Sequence, residues 1–218
     1  MQIKNSVFLV LGGATSALGY ATVEVLLKEG AKVIICDLPN ADLNIFGHDK
    51  AIFLPLDICS HDDLTQLLEV IKDKYKRLDG VINCVDYRAS TPIDQSENIK
   101  DVFYVHPRPF QVIMSTLPLI MAANQQKGKR GVIVNVANMA AYEGRAQYCA
   151  YAASKAALIR MSQVMHQELL DTKVRCVCIL IDEKFELPDK FTEFLVEILQ
   201  KSSMNYSLFR CSTVLSKN

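Results

Sequence analysis

The chain has 218 residues, carries 24 Lys+Arg against 24 Asp+Glu, and is half apolar. That suits one α/β domain over residues 1–218 with a sizeable core, and it excludes general disorder. Direct nucleic-acid binding is not expected without a cation excess, and no apolar run reaches the roughly eighteen residues of a membrane span.

Residues 6–11, apolar and ending in Gly12-Gly13, predict a buried strand. Residues 17–29 have helical spacing, with Leu18, Ala21, Val25 and Leu26 on one face and Gly30 just beyond as a stop. Second and third strands are predicted over 31–37 and 51–56. Ser60 opens a helix with Asp63 three residues on, a capping-box variant, followed by Leu64, Leu67, Leu68 and Ile71. Further strands fall at 80–85, 131–137 and 174–181, the last two separated by a helix over about 148–170. In that helix Leu158, Met161, Met165 and Leu169 read as core. A helix over 189–200 and a closing strand over 206–211 follow. Strands alternating with helices, most of the strands apolar throughout, predict a doubly wound, Rossmann-type parallel sheet of about seven strands with helices on both faces. Such sheets bind ligands at the carboxyl ends of their strands, where the strand order reverses.

Seven cysteines stand at 36, 59, 84, 149, 176, 178 and 211, most inside apolar runs where a thiol behaves as a small hydrophobe. No C-x-x-C pair and no histidine spacing forms a ligand set, so a reduced compartment and no metal are expected.

The first strand turns into its helix through Gly12-Gly13-Ala14-Thr15-Ser16-Ala17-Leu18-Gly19. Glycines there let a backbone approach a pyrophosphate at the positive end of a helix. A plain tight turn accounts for them equally well. Asp37, about twenty residues on, stands where a carboxylate would accept from an adenosine ribose and repel a 2′-phosphate. The two together favour NAD. Farther on, Tyr151 and Lys155 lie one helical turn apart in Tyr151-Ala152-Ala153-Ser154-Lys155. An adjacent ammonium favours the phenolate, and bringing a tyrosine from about 10 to neutrality takes roughly 4 kcal/mol. Such a pair can act as a general acid–base on a hydroxyl or carbonyl. It can equally be a solvated face.

The glycine turn, Asp37 within Cys36-Asp37-Leu38-Pro39-Asn40, Leu56-Asp57-Ile58, Ile82-Asn83-Cys84 and the Tyr151/Lys155 pair, in that order, resemble the short-chain dehydrogenase/reductase family. The stretch from Gly131-Val132-Ile133-Val134-Asn135 through Ala140-Ala141-Tyr142-Glu143-Gly144 to Lys155 most resembles its type 2 3-hydroxyacyl-CoA dehydrogenase subfamily. The resemblance implies an NAD(H)-dependent oxidoreductase acting on a secondary alcohol or its ketone, of the 3-hydroxyacyl-CoA or hydroxysteroid type. It implies a homo-oligomer, or a hetero-oligomer with a relative, in the mitochondrial matrix. The cytoplasm is the alternative, because residues 1–10 lack the regions of a cleaved signal. It also implies cofactor contacts from Gly13, Ser16, Leu18, Gly19, Asp37, Asp57, Ile58, Asn83, Tyr151 and Lys155, with Tyr151, Lys155 and Asn138 catalytic. Ala153, Ala157 and Arg160 become candidate interface residues.

The chain departs from the family at several places. Gly12 replaces the usual threonine of the turn and Ala17 its central glycine, while Asp86 stands where the family has a glycine of close backbone approach. Asn138 replaces the catalytic serine, and losing one such donor typically costs about 10²–10³ in rate. His106 replaces the family's catalytic asparagine, and His106-Pro107-Arg108-Pro109 puts two prolines where the family continues a helix, so the helix restarts or changes path. Ile181-Asp182 replaces Pro-Gly, and only Glu183 to Pro188 stands where active relatives carry a long substrate-binding segment. The expectation is a divergent homologue with weak or lost hydride transfer, acting as a binding or scaffold subunit. The alternative is an active oxidoreductase using Tyr151, Lys155 and Asn138.

Overall fold

In the computed structural model of the protein, residues 2–39, 49–58, 60–86, 108–127, 131–182, 188–201 and 208–211 are described, apart from the side chains of 124–127 and 211. The strands are β1 (Val7–Leu11), β2 (Lys32–Asp37), β3 (Ala51–Pro55), β4 (Gly80–Asn83), β5 (Gly131–Asn138), β6 (Val174–Ile181) and β7 (Leu208–Cys211). They form one parallel sheet in the order β3-β2-β1-β4-β5-β6-β7. The chain runs outward from β1 to β3 and then crosses to β4 on the other side of β1. The carboxyl ends of β1 and β4 therefore diverge at a switch point, and Leu11 pairs with Asn83 there.

Helices α1 (Ala17–Lys28) and α5 (Pro188–Gln200) cover one face of the sheet. Val23 and Leu26 of α1 and Phe191, Leu195, Ile198 and Leu199 of α5 pack there with Phe8, Val10, Ile35 and Val134. Helices α2 (His61–Val70), α3 (Arg108–Lys127) and α4 (Cys149–Glu168) cover the other. Leu67, Val112, Ile113, Ile120, Met165 and Leu169 join Leu9, Ile34, Val81 and Cys176 there. The fully apolar strands are thus explained by burial on two faces. Met161, expected in the core, is only partly buried.

Local chemistry explains where these helices begin and end. Ser16 Oγ accepts from Gly19 N at 2.9 Å and caps α1. At its other end Gly30, at φ +82°, donates to Leu27 O while Ala31 N reaches Leu26 O, a Schellman stop. Ser60 Oγ accepts from Asp63 N, while Asp63 reaches back to Ser60 Oγ and to Asp57 N. The expected capping box is present in that variant form. Beyond α2 a π-turn (Ile71–Tyr75) carries the chain to a left-handed Lys76.

Helix α3 starts at Arg108, after His106 and Pro107, which lie outside the described residues. Pro109 then sits in the first turn, where its missing N–H costs nothing. Pro118 is interior, but it and Met114 one turn before are both exposed. The carbonyl deprived of its donor therefore lies on the solvent side. The helix expected from the family resemblance thus restarts at Arg108, although the prolines interrupt its local pattern.

Candidate active site at the strand switch point

The turn after β1 leaves no room for a side chain at Gly12 or at Gly19. Gly12 has φ +70°, and a Cβ there would stand 2.9 Å from Val85 N, directly against the chain leaving β4. The threonine usual at this position in the family resemblance would clash, so Gly12 is required by this turn. A Cβ on Gly19 would fall 1.9 Å from Gly12 O. The first turn of α1 is thereby pressed onto the end of β1.

Below the site, Asn83 donates to Asn135 Oδ1 at 3.1 Å, and Asn135 donates to Ser162 Oγ at 2.9 Å. Ser162 Oγ donates in turn to Leu158 O at 2.7 Å. This buried chain ties β4 and β5 to α4. It fixes the height at which α4 presents Tyr151 and Lys155. Asn83 Oδ1 also accepts from Val85 N at 3.2 Å and shapes the exit from β4.

A cleft of about 150 Å³ opens above these strand ends, lined by Ser16, Ala17 and Leu18 of the turn, Cys84 and Asp86, Val136 to Asn138, Tyr151, Lys155 and Ile181. Ser16, Leu18, Asn138, Tyr151 and Lys155, separated by up to 139 positions in sequence, are thus brought together. Gly13, Gly19 and Asn83 support the cleft from beneath and do not line it. Asp57 and Ile58 follow β3 and do not line it either.

Asp86 dominates the polar chemistry. Tyr151 Oη donates to Asp86 Oδ1 at 3.0 Å, and Lys155 Nζ pairs with the same oxygen at 2.9 Å. Lys155 also donates to Val85 O at 3.4 Å, and its ammonium lies 5.5 Å from the Tyr151 ring centroid. The tyrosine is buried and packs edge-on against Tyr148. Asn138 is buried too. Its Oδ1 accepts from Ala140 N at 2.8 Å, capping the short 3-10 turn Met139–Ala141. Its carbonyl thus serves the backbone. Cys84 sits beneath, its thiol pushed up to about 12 by burial, against the smaller opposing pull of its Thr22 bond and of Lys155.

Asp37, at the end of β2, is turned toward the glycine turn. Its Oδ2 accepts from Ala14 N at 2.9 Å and Thr15 N at 2.8 Å, and Thr15 Oγ1 lies within 3.0 Å of both carboxylate oxygens. Asp182, after β6, pairs with Arg210 of β7 at 3.3 Å. Asp86 was legible as a charge where the family has glycine. The Thr15–Asp37 contact was not, because 22 positions separate the two residues.

A sequence model described as short chain dehydrogenase matches residues 7–181. The chain belongs to the short-chain dehydrogenase family. The 3-hydroxyacyl-CoA dehydrogenase type-2 of Drosophila melanogaster is 37% identical over 216 residues, covering 90% of this chain and 84% of that protein. The Homo sapiens protein of the same name is 31% identical over 192 residues, covering 82% and 73%. Ipsdienol dehydrogenase of Ips pini is 30% identical over 193 residues, covering 80% and 73%. Among solved structures, the 3-ketoacyl-(acyl-carrier-protein) reductase from Brucella melitensis complexed with NADH superposes with a TM-score of 0.85 at 22% identity, covering 94% and 96%. That likeness carries the fold.

Short-chain dehydrogenases typically use NAD(P). In this member the glycine turn keeps the close approach such a cofactor needs, but the two carboxylates do not fit NAD as they stand. Asp37 is taken up by the turn, and Asp86 holds both groups that would meet the nicotinamide half. Among the described residues no group of three or more His, Cys, Asp or Glu could hold a metal ion, and no helix is long and apolar enough to cross a membrane.

Proposed function

We propose that this short-chain dehydrogenase homologue has weak or lost hydride transfer and serves as a binding or scaffold subunit, paired with a second copy or an intact relative. The observation that carries the reading is Asp86, whose one carboxylate oxygen engages both Tyr151 and Lys155. A family acid–base tyrosine must exchange its proton with substrate, and the lysine must lend its charge to that phenol. Here the phenol's proton is directed at a carboxylate, and the ammonium's field is offset by an anion at contact distance. Two further features support the reading. Asn138 stands for the serine with its oxygen already bonded to backbone, and only six residues separate β6 from α5, where a lid would have to arise.

The scaffold role has a surface to act through. Exposed positions on α4 include Ala153, Arg160 and Val164, with Ala157 half-buried between them. In α3 Met114, Pro118 and Ala122 are exposed. A surface this poor in charge suits a self-complementary contact.

The second reading is an active NAD(H) oxidoreductase on a 3-hydroxyacyl-CoA or hydroxysteroid type alcohol. It is favoured by the convergence of Asn138, Tyr151 and Lys155 on one cleft. Calorimetric titration with NADH, and with NADPH as control, separates the two readings. No binding at millimolar NADH, with a dimer or larger species by light scattering, is the expected result. Micromolar NADH binding with turnover of a 3-hydroxyacyl-CoA that Tyr151→Phe abolishes would overturn it.

A further inference from the structure

We infer that Thr15 is a latch that takes Asp37 out of cofactor recognition, so that the adenosine end of the cleft cannot read a ribose. A carboxylate offers about four lone-pair positions. Asp37 already receives four donors: the N–H groups of Ala14, Thr15 and Leu38, and the hydroxyl of Thr15. An adenosine ribose presents two more, its 2′- and 3′-hydroxyls, and both need an acceptor.

The carboxylate is also turned inward, only 8% exposed. Thr15 itself is exposed, so its hydroxyl has water available and nonetheless reaches both oxygens of Asp37. Three of the four donors are backbone groups that any residue except proline supplies at these positions. The fourth depends on a hydroxyl at position 15, and it is the one that spans both oxygens. Removing it frees an acceptor position on the side facing the turn.

The consequence is specific. A cleft of this fold that selects NAD over NADP does so through a carboxylate bonded to the 2′-hydroxyl. With Thr15 latched, this protein neither gains from that hydroxyl nor depends on it. The charge of Asp37 remains beside the turn and still opposes a 2′-phosphate at that end, so the latch removes an attraction without creating a new specificity. This inference rests on the family reading of the cleft. It concerns the adenosine end alone, whereas the proposed loss of chemistry concerns Asp86.

ADP and 2′-deoxy-ADP isolate that end, since neither carries the nicotinamide half. Their affinities are measured by NMR titration up to 10 mM for the wild type, Thr15→Ala, Thr15→Ser and Thr15→Ala/Asp37→Asn. The wild type and Thr15→Ser are expected to bind the two nucleotides within twofold of each other. Thr15→Ala is expected to prefer ADP by about tenfold, the effect of one hydrogen bond to a charged group, and the added Asp37→Asn to reduce that preference. A wild type that already prefers ADP by that factor overturns the latch, as does a Thr15→Ala protein that binds both alike or binds neither. These outcomes stand whichever way the NADH titration falls.

Discussion

Lys155 and Asp86 share one ion pair in unequal surroundings: the lysine side chain is 2% exposed and the aspartate 28%. Removing a partner therefore has different consequences on the two sides. Asp86→Ala takes the paired anion from an ammonium that water hardly reaches, and breaking a buried pair in this way costs about 3 kcal/mol. Lys155→Met fills the same volume with an apolar chain and leaves a carboxylate that water can solvate, at about 1 kcal/mol. Urea denaturation is expected to rank Asp86→Ala as the more destabilised of the two. The reverse order would mean that Asp86 is held by other groups and that its bond to the lysine is incidental. Cys84, beside this pair, gains no reactivity from Lys155, because burial outweighs the cation in setting its thiol.

Among the elements, α5 depends on one side chain from the strand beside it. Arg175, near the start of β6 and 5% exposed, donates to Ile198 O and to Lys201 O, both at 3.0 Å. Ile198 O lies in the last turn of α5 and Lys201 O just beyond it, where a helix has no backbone donors of its own and carries negative partial charge. The guanidinium thus caps the helix and fixes it to the sheet. Arg175→Met is expected to lower stability by about 2 kcal/mol, with faster amide exchange concentrated in the carboxyl-terminal half of α5. Uniform loss of protection across the whole sheet would instead show that α5 does not open separately. At the opposite end of the sheet the first turn of α1 lies against the turn before it, where a Cβ on Gly19 would meet Gly12 O. A side chain at Gly19 could not be accommodated by a rotamer shift, because the obstruction is backbone.

At the scale of the whole molecule, four of the five cysteines whose side chains are described are buried and Cys149 is exposed. Burial raises the thiols of Cys36 and Cys176, and it pushes Cys84 and Cys178 up to about 12 from an ordinary 9.0. A thiol with a raised folded-state pKa keeps the fold's full stability below about pH 9. Above it the unfolded chain loses protons that the folded chain retains, and stability falls until the folded thiols titrate. Denaturation midpoints are expected to be level from pH 7 to 8.5 and to drop steadily between 9 and 11. Over the same range, native alkylation is expected to label Cys149 ahead of the other four. Early labelling of Cys84 would show that the cleft floor opens in the native state.

The sequence alone determined the layered fold, because apolar periodicity, glycine stops and serine caps act over a few residues and survive any tertiary setting. It also determined the pairing of Tyr151 with Lys155, since a spacing of four on a helix brings side chains together. The helix over 108–127 was legible only through the family resemblance, which expected it to restart or change path, because prolines at 109 and 118 break the local pattern while their places in the first turn and on the solvent side make them harmless. Only the tertiary structure decided what Asp37 and Asp86 do. Both are acids near a predicted cofactor path, and sequence can place them at strand ends without saying where a carboxylate points. That direction is set by donors distant in the chain: Thr15 lies 22 positions before Asp37, and Tyr151 lies 65 after Asp86. Sheet pairing brings those donors within 3.0 Å, and at that range hydrogen bonding overrides what residue type alone suggests.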